Sequence, residues 1–257
     1  MPEPAVARVS GHAPPVAPER PGPSLDLPPG THALPRAWYG RDSLDVAPDL
    51  LNKVLVGTAD RWGRIIEVEA YRGPDDPGSH AFRGRTPRNA TMWGPPGHLY
   101  VYFVYGMHWC ANVVCGPTGV AQAVLVRAVA PEGGLDAMRR ARWADGAGVD
   151  TRRRPDRDLC RGPARLCQAL GITGVDDGAD LVPGVLDSRP TGGRGSVLVV
   201  GDDGMAPPGE PLITTRVGLR AGAELPWRFA VPGHRGVSRW TGTPRRSPGA
   251  PRGRNRT

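Results

Sequence analysis

The sequence predicts an α+β fold, a single mixed domain built on a curved, mostly antiparallel sheet. Short apolar or alternating runs bounded by Gly, Pro or Asp outnumber the stretches with helical spacing. Two neighbouring runs are also joined by a very short turn, and such turns connect antiparallel strands. The sheet should therefore carry most of the fold, with few helices.

The elements follow in chain order. Six runs are predicted as strands: 64–71, 99–105, 109–114, 120–129, 196–200 and 228–231. The turn between the second and third takes Gly106, Met107 and one neighbour, which predicts a protruding β-hairpin. Two stretches are predicted as helices. Glu132–Arg142 follows a proline, and Gly162–Leu170 carries Pro163 near the first turn, where the missing N–H costs nothing.

The two ends of the chain are predicted to lie outside the folded domain. Residues 1–35 hold ten of the 30 prolines and no apolar periodicity, which is typical of a disordered Pro-rich leader. Residues 241–257 are rich in Pro, Gly and Arg, so we expect a disordered Arg-rich tail. Residues 36–240 remain as the folded domain, which is long enough to bury a core without disulfides or metals.

The net charge of +8 is concentrated at the C-terminus. Residues 235–257 hold seven Arg and no acid, while the rest of the chain balances 26 basic against 25 acidic residues. Guanidinium groups bond phosphate oxygens in pairs, so this stretch suits contact with DNA. A genome whose base composition favours Arg codons explains the same excess of Arg equally well.

The remaining composition excludes several classes of protein. The four cysteines never form C-x-x-C, so neither a metal site nor a disulfide framework is predicted, and no cofactor is expected. No apolar run approaches the roughly 20 residues of a membrane span, and no signal peptide is recognised. We expect a monomer without a membrane partner, in the cytoplasm at the bacterial nucleoid, or in the nucleus of a eukaryote.

The segment 64–112 holds the candidate chemical groups. Alternation along its first strand places Glu67, Glu69 and Tyr71 on one face. Two carboxylates and a phenol on one surface suit acid–base chemistry. A solvated strand face with Arg partners explains the same pattern.

Aromatic residues accumulate in the same segment. Tyr100 and Tyr102 share one face of the next strand, Tyr105 stands at the hairpin tip, and His80 lies in the preceding loop. Four of the five tyrosines fall between Tyr71 and Tyr105, and such clusters build stacking platforms for bases. Core packing of the tyrosines and a solvent-facing His80 are the alternatives.

The blocks Ile65–Val114, Val124–Pro131 and Asp158–Ile172 resemble, in this order, the motifs of the alkyladenine (3-methyladenine, N-methylpurine) DNA glycosylases. The likeness extends over about Leu34–Trp240. It implies a single mixed domain that inserts a β-hairpin into the DNA minor groove and flips a damaged purine into a pocket. It also implies a monofunctional enzyme that hydrolyses the N-glycosidic bond in double-stranded DNA and so starts base excision repair. Its substrates would be 3-methyladenine and 7-methylguanine, with hypoxanthine and etheno-adenine as further candidates.

The resemblance assigns roles in the pocket by motif position. Glu69 in E-V-E-A-Y matches the general base that activates water. Arg127 in L-V-R-A matches an arginine near that water and the nucleotide phosphate. Tyr71 matches one wall of the pocket, with His80 and Tyr102 on the opposite side.

The resemblance also covers the hairpin. Tyr105 matches the residue that intercalates into the vacated stack, and Met107 lies beside it. Asn112 in C-A-N matches a gatekeeper at the pocket floor. His108 stands where some family members have an aromatic residue, which leaves the hairpin's DNA contacts open.

Two other functions compete with this interpretation. A glycosylase that also cleaves the strand needs an amine nucleophile, for which Pro2 and Lys53 are the candidates. Pro2 lies in the leader and Lys53 outside the motif blocks, so neither is well placed. A damage sensor without activity would lack the base at position 69, where Glu69 is present.

Overall fold

The computed structural model describes residues 27–58, 60–104, 106–143, 154–182 and 198–238. Its strands are β1 (His32–Ala33), β2 (Val54–Val56), β3 (Trp62–Tyr71), β4 (Leu99–Val104), β5 (His108–Cys115), β6 (Gln122–Gly133), β7 (Val199–Asp202), β8 (Leu212–Thr214) and β9 (Arg228–Ala230). Its α-helices are α1 (Arg36–Tyr39), α2 (Ser43–Leu50), α3 (Leu135–Trp143) and α4 (Pro163–Leu170). Short 3₁₀ helices cover Gly73–Asp75, Pro87–Trp93, Asp156–Asp158 and Gly174–Asp176.

The described strands form one sheet in the order β1-β7-β2-β3-β6-β5-β4, with β9 paired to β3 and β8 to β9. Each pairing among these strands is antiparallel. The prediction of an α+β fold with a mostly antiparallel sheet is therefore confirmed. None of the described helices is long and apolar enough to cross a membrane.

Strand β3 is flanked by other strands along its whole length, which buries its charged residues. Its start pairs with β2, while Glu67–Glu69 pair with β9 on one side and with β6 on the other. The β3–β6 register shifts on both sides of Glu67, and such irregularities re-aim side chains. Both carboxylates of β3 consequently lie inside the protein rather than on a solvated face.

Helices α2 and α4 cover the sheet and complete the main core. Helix α2 packs on β3, and α4 packs on β5 and β6. The core includes Leu50 of α2, Leu166 of α4, and the directly paired Val68 and Val126 of the sheet, all of them fully buried. Apolar burial of this kind contributes roughly 1.5–3 kcal/mol for each large side chain.

Several element boundaries differ by a few residues from the sequence predictions. The helix predicted from Glu132 begins at Leu135, because β6 continues to Gly133, which pairs with Trp62 of β3. Gly134 then breaks the strand at a φ of 66°, a conformation that favours glycine. The short elements α1, α2, β1, β2 and β8 were not predicted, because they carry too few residues for a periodic pattern.

The folded domain also begins earlier than residue 36. His32 and Ala33 pair with β7, and Leu34 is buried in the main core. Strand pairing with a distant segment thus orders the end of a stretch whose composition indicates disorder. The rest of the leader, residues 1–26, lies outside the described residues, as do residues 239–257, which include the whole predicted tail 241–257.

Candidate active site

A cavity of about 860 Å³ opens beside β3, β4 and β6. Its lining includes Tyr71, His80, Tyr102, Arg127, Val217 and Ser238. The segment 158–165, which leads into helix α4, forms a further part of the wall. A volume of this size accommodates a nucleotide-sized ligand.

Glu69 lies immediately behind the cavity wall and is 0% exposed. Its Oε1 accepts a hydrogen bond from the Val217 backbone N–H (2.7 Å) and lies 3.2 Å from Arg127 Nη1. Its Oε2 accepts a hydrogen bond from the Tyr71 hydroxyl at 3.0 Å. These partners all line the cavity, so they stabilise a buried charge close to any bound ligand.

Arg127 joins the two carboxylates of β3. Its Nε donates to Glu67 Oε1 at 2.9 Å, while its Nη1 faces Glu69. Burial by itself lowers the pKa of Arg127, but the negative charges of Glu69 and Glu67 outweigh burial, and the pKa lies above its ordinary value. The guanidinium therefore stays charged at the cavity wall.

Glu67 is as deeply buried as Glu69, which the interpretation as a solvated strand face did not anticipate. It accepts hydrogen bonds from Arg127, from Arg228 and from both the backbone N–H and the hydroxyl of Ser238. Burial raises the pKa of Glu67, but Arg127, Arg228 and the Ser238 bonds reverse this and hold it below its ordinary value. Glu67 therefore has the arginine partners that this interpretation expects, but it is buried instead of exposed to solvent.

Three aromatic rings pack together, and two of them, His80 and Tyr102, line the cavity. The His80 ring meets Tyr102 edge-on, with centroids 4.4 Å apart, and Tyr102 stacks on Tyr100 at 5.5 Å. The His80 Nδ1 atom lies 3.3 Å from the Tyr100 hydroxyl. Burial, helped by the positive charge of Arg88, lowers the pKa of His80, so the ring is neutral at pH 7. His80 is consequently part of a rigid aromatic surface rather than a solvent-facing residue.

Tyr71 is supported from behind by a buried ion pair. The Arg216 guanidinium carbon lies 4.6 Å from the centroid of the Tyr71 ring and 5.0 Å from that of Trp227. Arg216 also forms two hydrogen bonds with Asp76, at 2.5 and 2.7 Å, and both side chains are 0% exposed. This contact holds the phenol plane of Tyr71 in place at the cavity wall.

A smaller cavity of about 60 Å³ is lined by the same Tyr71, His80 and Tyr102 together with Asn112. Asn112 is buried, and its Nδ2 donates to the Tyr100 carbonyl across the β4–β5 pair at 3.0 Å. This bond reaches the backbone of the neighbouring strand and fixes the amide of Asn112 in place. Asn112 lies beside the three aromatic residues of the site.

The hairpin formed by β4 and β5 contributes Val104 and His108 to the wall of the larger cavity. Strands β4 and β5 pair from Leu99–Val113 to Val104–His108, and Met107 in the turn is 68% exposed. Tyr105 lies outside the described residues. His108 pairs with Val104 at the base of the turn and also lines the larger cavity.

Two further nucleophilic side chains, Cys110 and Lys53, are poorly placed or poorly ionised for catalysis in this cavity. Burial raises the pKa of the Cys110 thiol, so it is protonated at pH 7. Lys53 is buried in an ion pair with Asp202 (2.7 Å) and is absent from the residues that line the cavity. Among the described residues, no cluster of His, Cys, Asp and Glu has the arrangement of a metal site.

The structure thus brings together Glu69, Arg127, Tyr71, His80, Tyr102 and Asn112. Sequence reasoning missed Val217, Ser238, Asp76, Arg216 and Arg228, and it did not identify which residues contact Glu67. One signal was available, since a predicted strand that opens with Arg228 is unusual for a buried strand. The other residues lie in segments without any periodic pattern.

Comparison with known proteins supports a specific family. Residues 37–235 match the family model described as methylpurine-DNA glycosylase. A Burkholderia cenocepacia protein is 55% identical over 210 residues, which cover 82% of this chain and 92% of the relative. Proteins of Streptomyces avermitilis (44%; 83% and 94% covered) and Carboxydothermus hydrogenoformans (42%; 80% and 98%) are also similar. All three relatives are named as candidate 3-methyladenine DNA glycosylases.

Proposed function

The chain belongs to the methylpurine-DNA glycosylase family, and we propose that it releases 3-methyladenine from double-stranded DNA by hydrolysing the N-glycosidic bond. The observation that carries this proposal is the buried Glu69, held by Tyr71, Val217 and Arg127 at the wall of an aromatic cavity. A monofunctional reaction of this kind would start base excision repair.

Glu69 has the acceptor capacity that a general base requires. A carboxylate offers about four lone-pair sites, shared between its two oxygens. Among the described residues, Oε1 accepts a hydrogen bond from Val217 and lies 3.2 Å from the charged Arg127 Nη1, whereas Oε2 accepts a single hydrogen bond, from Tyr71. The second site on Oε2 is the position that we assign to the attacking water.

The proposed reaction needs one carboxylate and no strong acid. A 3-methylated adenine carries a positive charge, so the glycosidic electron pair departs readily with the base. Water oxygen then bonds to C1′ while its proton passes to Glu69. The negative charges of the site also stabilise the oxocarbenium-like transition state.

Recognition of the flipped base rests on the aromatic wall. The rings of Tyr71 and Tyr102 both line the cavity, and stacking of a cationic purine on such faces contributes about 0.5–2 kcal/mol. A neutral His80 does not repel the cationic base, because it brings no positive charge to the cavity wall. We propose that 7-methylguanine, hypoxanthine and etheno-adenine are further substrates of the same wall.

Extrusion of the base from the duplex would depend on the hairpin. Unstacking costs a few kcal/mol, and an inserted side chain offsets this cost by filling the vacated stack. The exposed Met107 in the β4–β5 turn suits this role, together with its neighbour Tyr105. We propose minor-groove insertion of this turn by a monomer.

Product analysis tests the proposed function directly. The full chain is incubated with duplex DNA methylated by dimethyl sulfate, and the released bases are separated by chromatography. We expect free 3-methyladenine, an intact sugar–phosphate backbone, and no covalent adduct on borohydride treatment. Absence of free base would favour a damage sensor. A trapped adduct would favour the strand-cleaving alternative, although Lys53 is engaged with Asp202.

A further inference from the structure

We propose that Glu67 is a positioning residue, which fixes Arg127 and Ser238 on the cavity wall and so leaves one acceptor site of Glu69 open for water. The inference rests on the proposed function, because it concerns the same reaction. Glu67 itself does not line the cavity, so it acts only through its partners.

The hydrogen bonds of Glu67 connect three segments of the chain. Oε1 accepts from Arg127 Nε (2.9 Å), Arg228 Nε (2.8 Å) and Ser238 Oγ (2.6 Å). Oε2 accepts from the Ser238 backbone N–H at 2.7 Å. Both Arg127 and Ser238 line the cavity. The Glu67 carboxylate thereby holds both the Arg127 side chain of β6 and Ser238 against the same cavity.

Arg228 contacts Glu67 from β9, which flanks β3 on the edge opposite to β6. It lies on β9, which pairs with β3 at Glu67–Glu69, and its side chain is 0% exposed. Its Nη1 donates to Thr214 Oγ1 at 2.7 Å and its Nη2 to the Ser238 carbonyl at 3.2 Å. Because Arg228 does not line the cavity, its role is to hold Glu67 and Ser238 rather than to touch a ligand.

Charge balance explains why the position of Arg127 depends on Glu67. The buried cluster contains two carboxylates, Glu67 and Glu69, and two guanidinium groups, so its formal charge is zero. Without the charge of Glu67, both guanidinium groups would face Glu69 alone, and a buried charge that loses its partner is strongly unfavourable. Arg127 would then turn toward Glu69 and occupy the open site on Oε2.

A double-mutant cycle tests this role. Single-turnover release of 3-methyladenine is measured at saturating enzyme for wild type, Glu67→Gln, Arg127→Met and the double variant, together with the Kd for lesion DNA. We expect Glu67→Gln to slow the reaction by about 10- to 100-fold, by analogy with the loss of an outer-shell partner that orients a metal ligand. The Kd should change by less than about threefold. In the Arg127→Met background, Glu67→Gln should change the single-turnover rate very little, because the arginine through which Glu67 acts is absent.

Two controls separate positioning from a general loss of folding. Asp180→Asn breaks a partly buried ion pair with Arg36, whose residues do not line the cavity, and should leave the rate unchanged. If Glu67→Gln fails to fold, Glu67→Asp keeps the charge but withdraws it by one methylene, and the cycle is repeated with it. Multiplicative losses in the double variant would overturn the inference, as would a rate within threefold of wild type. An inactive wild type would instead refute the proposed function.

Discussion

The buried pair behind Tyr71 makes a quantitative prediction about stability. Asp76 and Arg216 are both 0% exposed and share two hydrogen bonds. Replacing Asp76 with Asn leaves the buried Arg216 charge without a carboxylate partner. In the wild type the Gly78 N–H donates to Asp76 Oδ1, and an amide NH₂ group at that position would face this donor instead of accepting from it. Removing one partner of a buried pair costs about 3–5 kcal/mol. For a domain of this size, each kcal/mol lowers Tm by roughly 2–4 °C, so we expect a fall of about 6–20 °C.

The assay is thermal or urea unfolding of wild type, Asp76→Asn, Arg216→Met and the double variant. Because the double variant removes both charges, it should be clearly more stable than the sum of the single losses implies. An additive double variant, or a loss below about 1 kcal/mol for Asp76→Asn, would refute the reasoning. In that case the pair would not be an interdependent support for Tyr71.

Three further predictions concern specificity and DNA contact. Asn112→Ser should raise release of 7-methylguanine and normal guanine relative to 3-methyladenine, because the side chain no longer opposes the guanine 2-amino group; an unchanged ratio would leave Asn112 a structural residue. Tyr105→Ala should weaken binding to lesion duplex by roughly 1–3 kcal/mol, and an equal loss of excision on single-stranded substrate would contradict a wedge role. Deleting residues 241–257 should reduce the salt dependence of binding by up to about five phosphate contacts, whereas a changed single-turnover rate would mean that the tail reaches the site.

Local sequence pattern was sufficient for the main strands and for the centre of the site. Alternation along β3 places Glu67, Glu69 and Tyr71 on one face, and in the structure both carboxylates contact Arg127 while Tyr71 bonds to Glu69. The tyrosine cluster likewise predicts the stacked aromatic wall. These features depend on residues only a few positions apart, where strand periodicity fixes side-chain direction.

The supporting shell of the site depends on long-range pairing that no local pattern encodes. Arg228 reaches Glu67 because β9 pairs with β3, and Arg216 reaches Asp76 across a separation of 140 positions. The burial of Glu67 also depends on β9, because this strand brings the buried Arg228 side chain against the Glu67 carboxylate. Strand pairing of this kind is decided by the whole sheet, so sequence reasoning could name the reactive residues but not the groups that hold them.

The most direct test of the account is the Glu69→Gln variant. This substitution keeps the shape of the side chain and removes its basicity. We predict that the single-turnover rate of 3-methyladenine release falls by on the order of 100-fold or more, while the Kd for lesion DNA changes little. Asp180→Asn, measured alongside, should match wild type in both quantities. A Glu69→Gln variant that keeps the wild-type rate would contradict the assignment of Glu69 as the base that activates water.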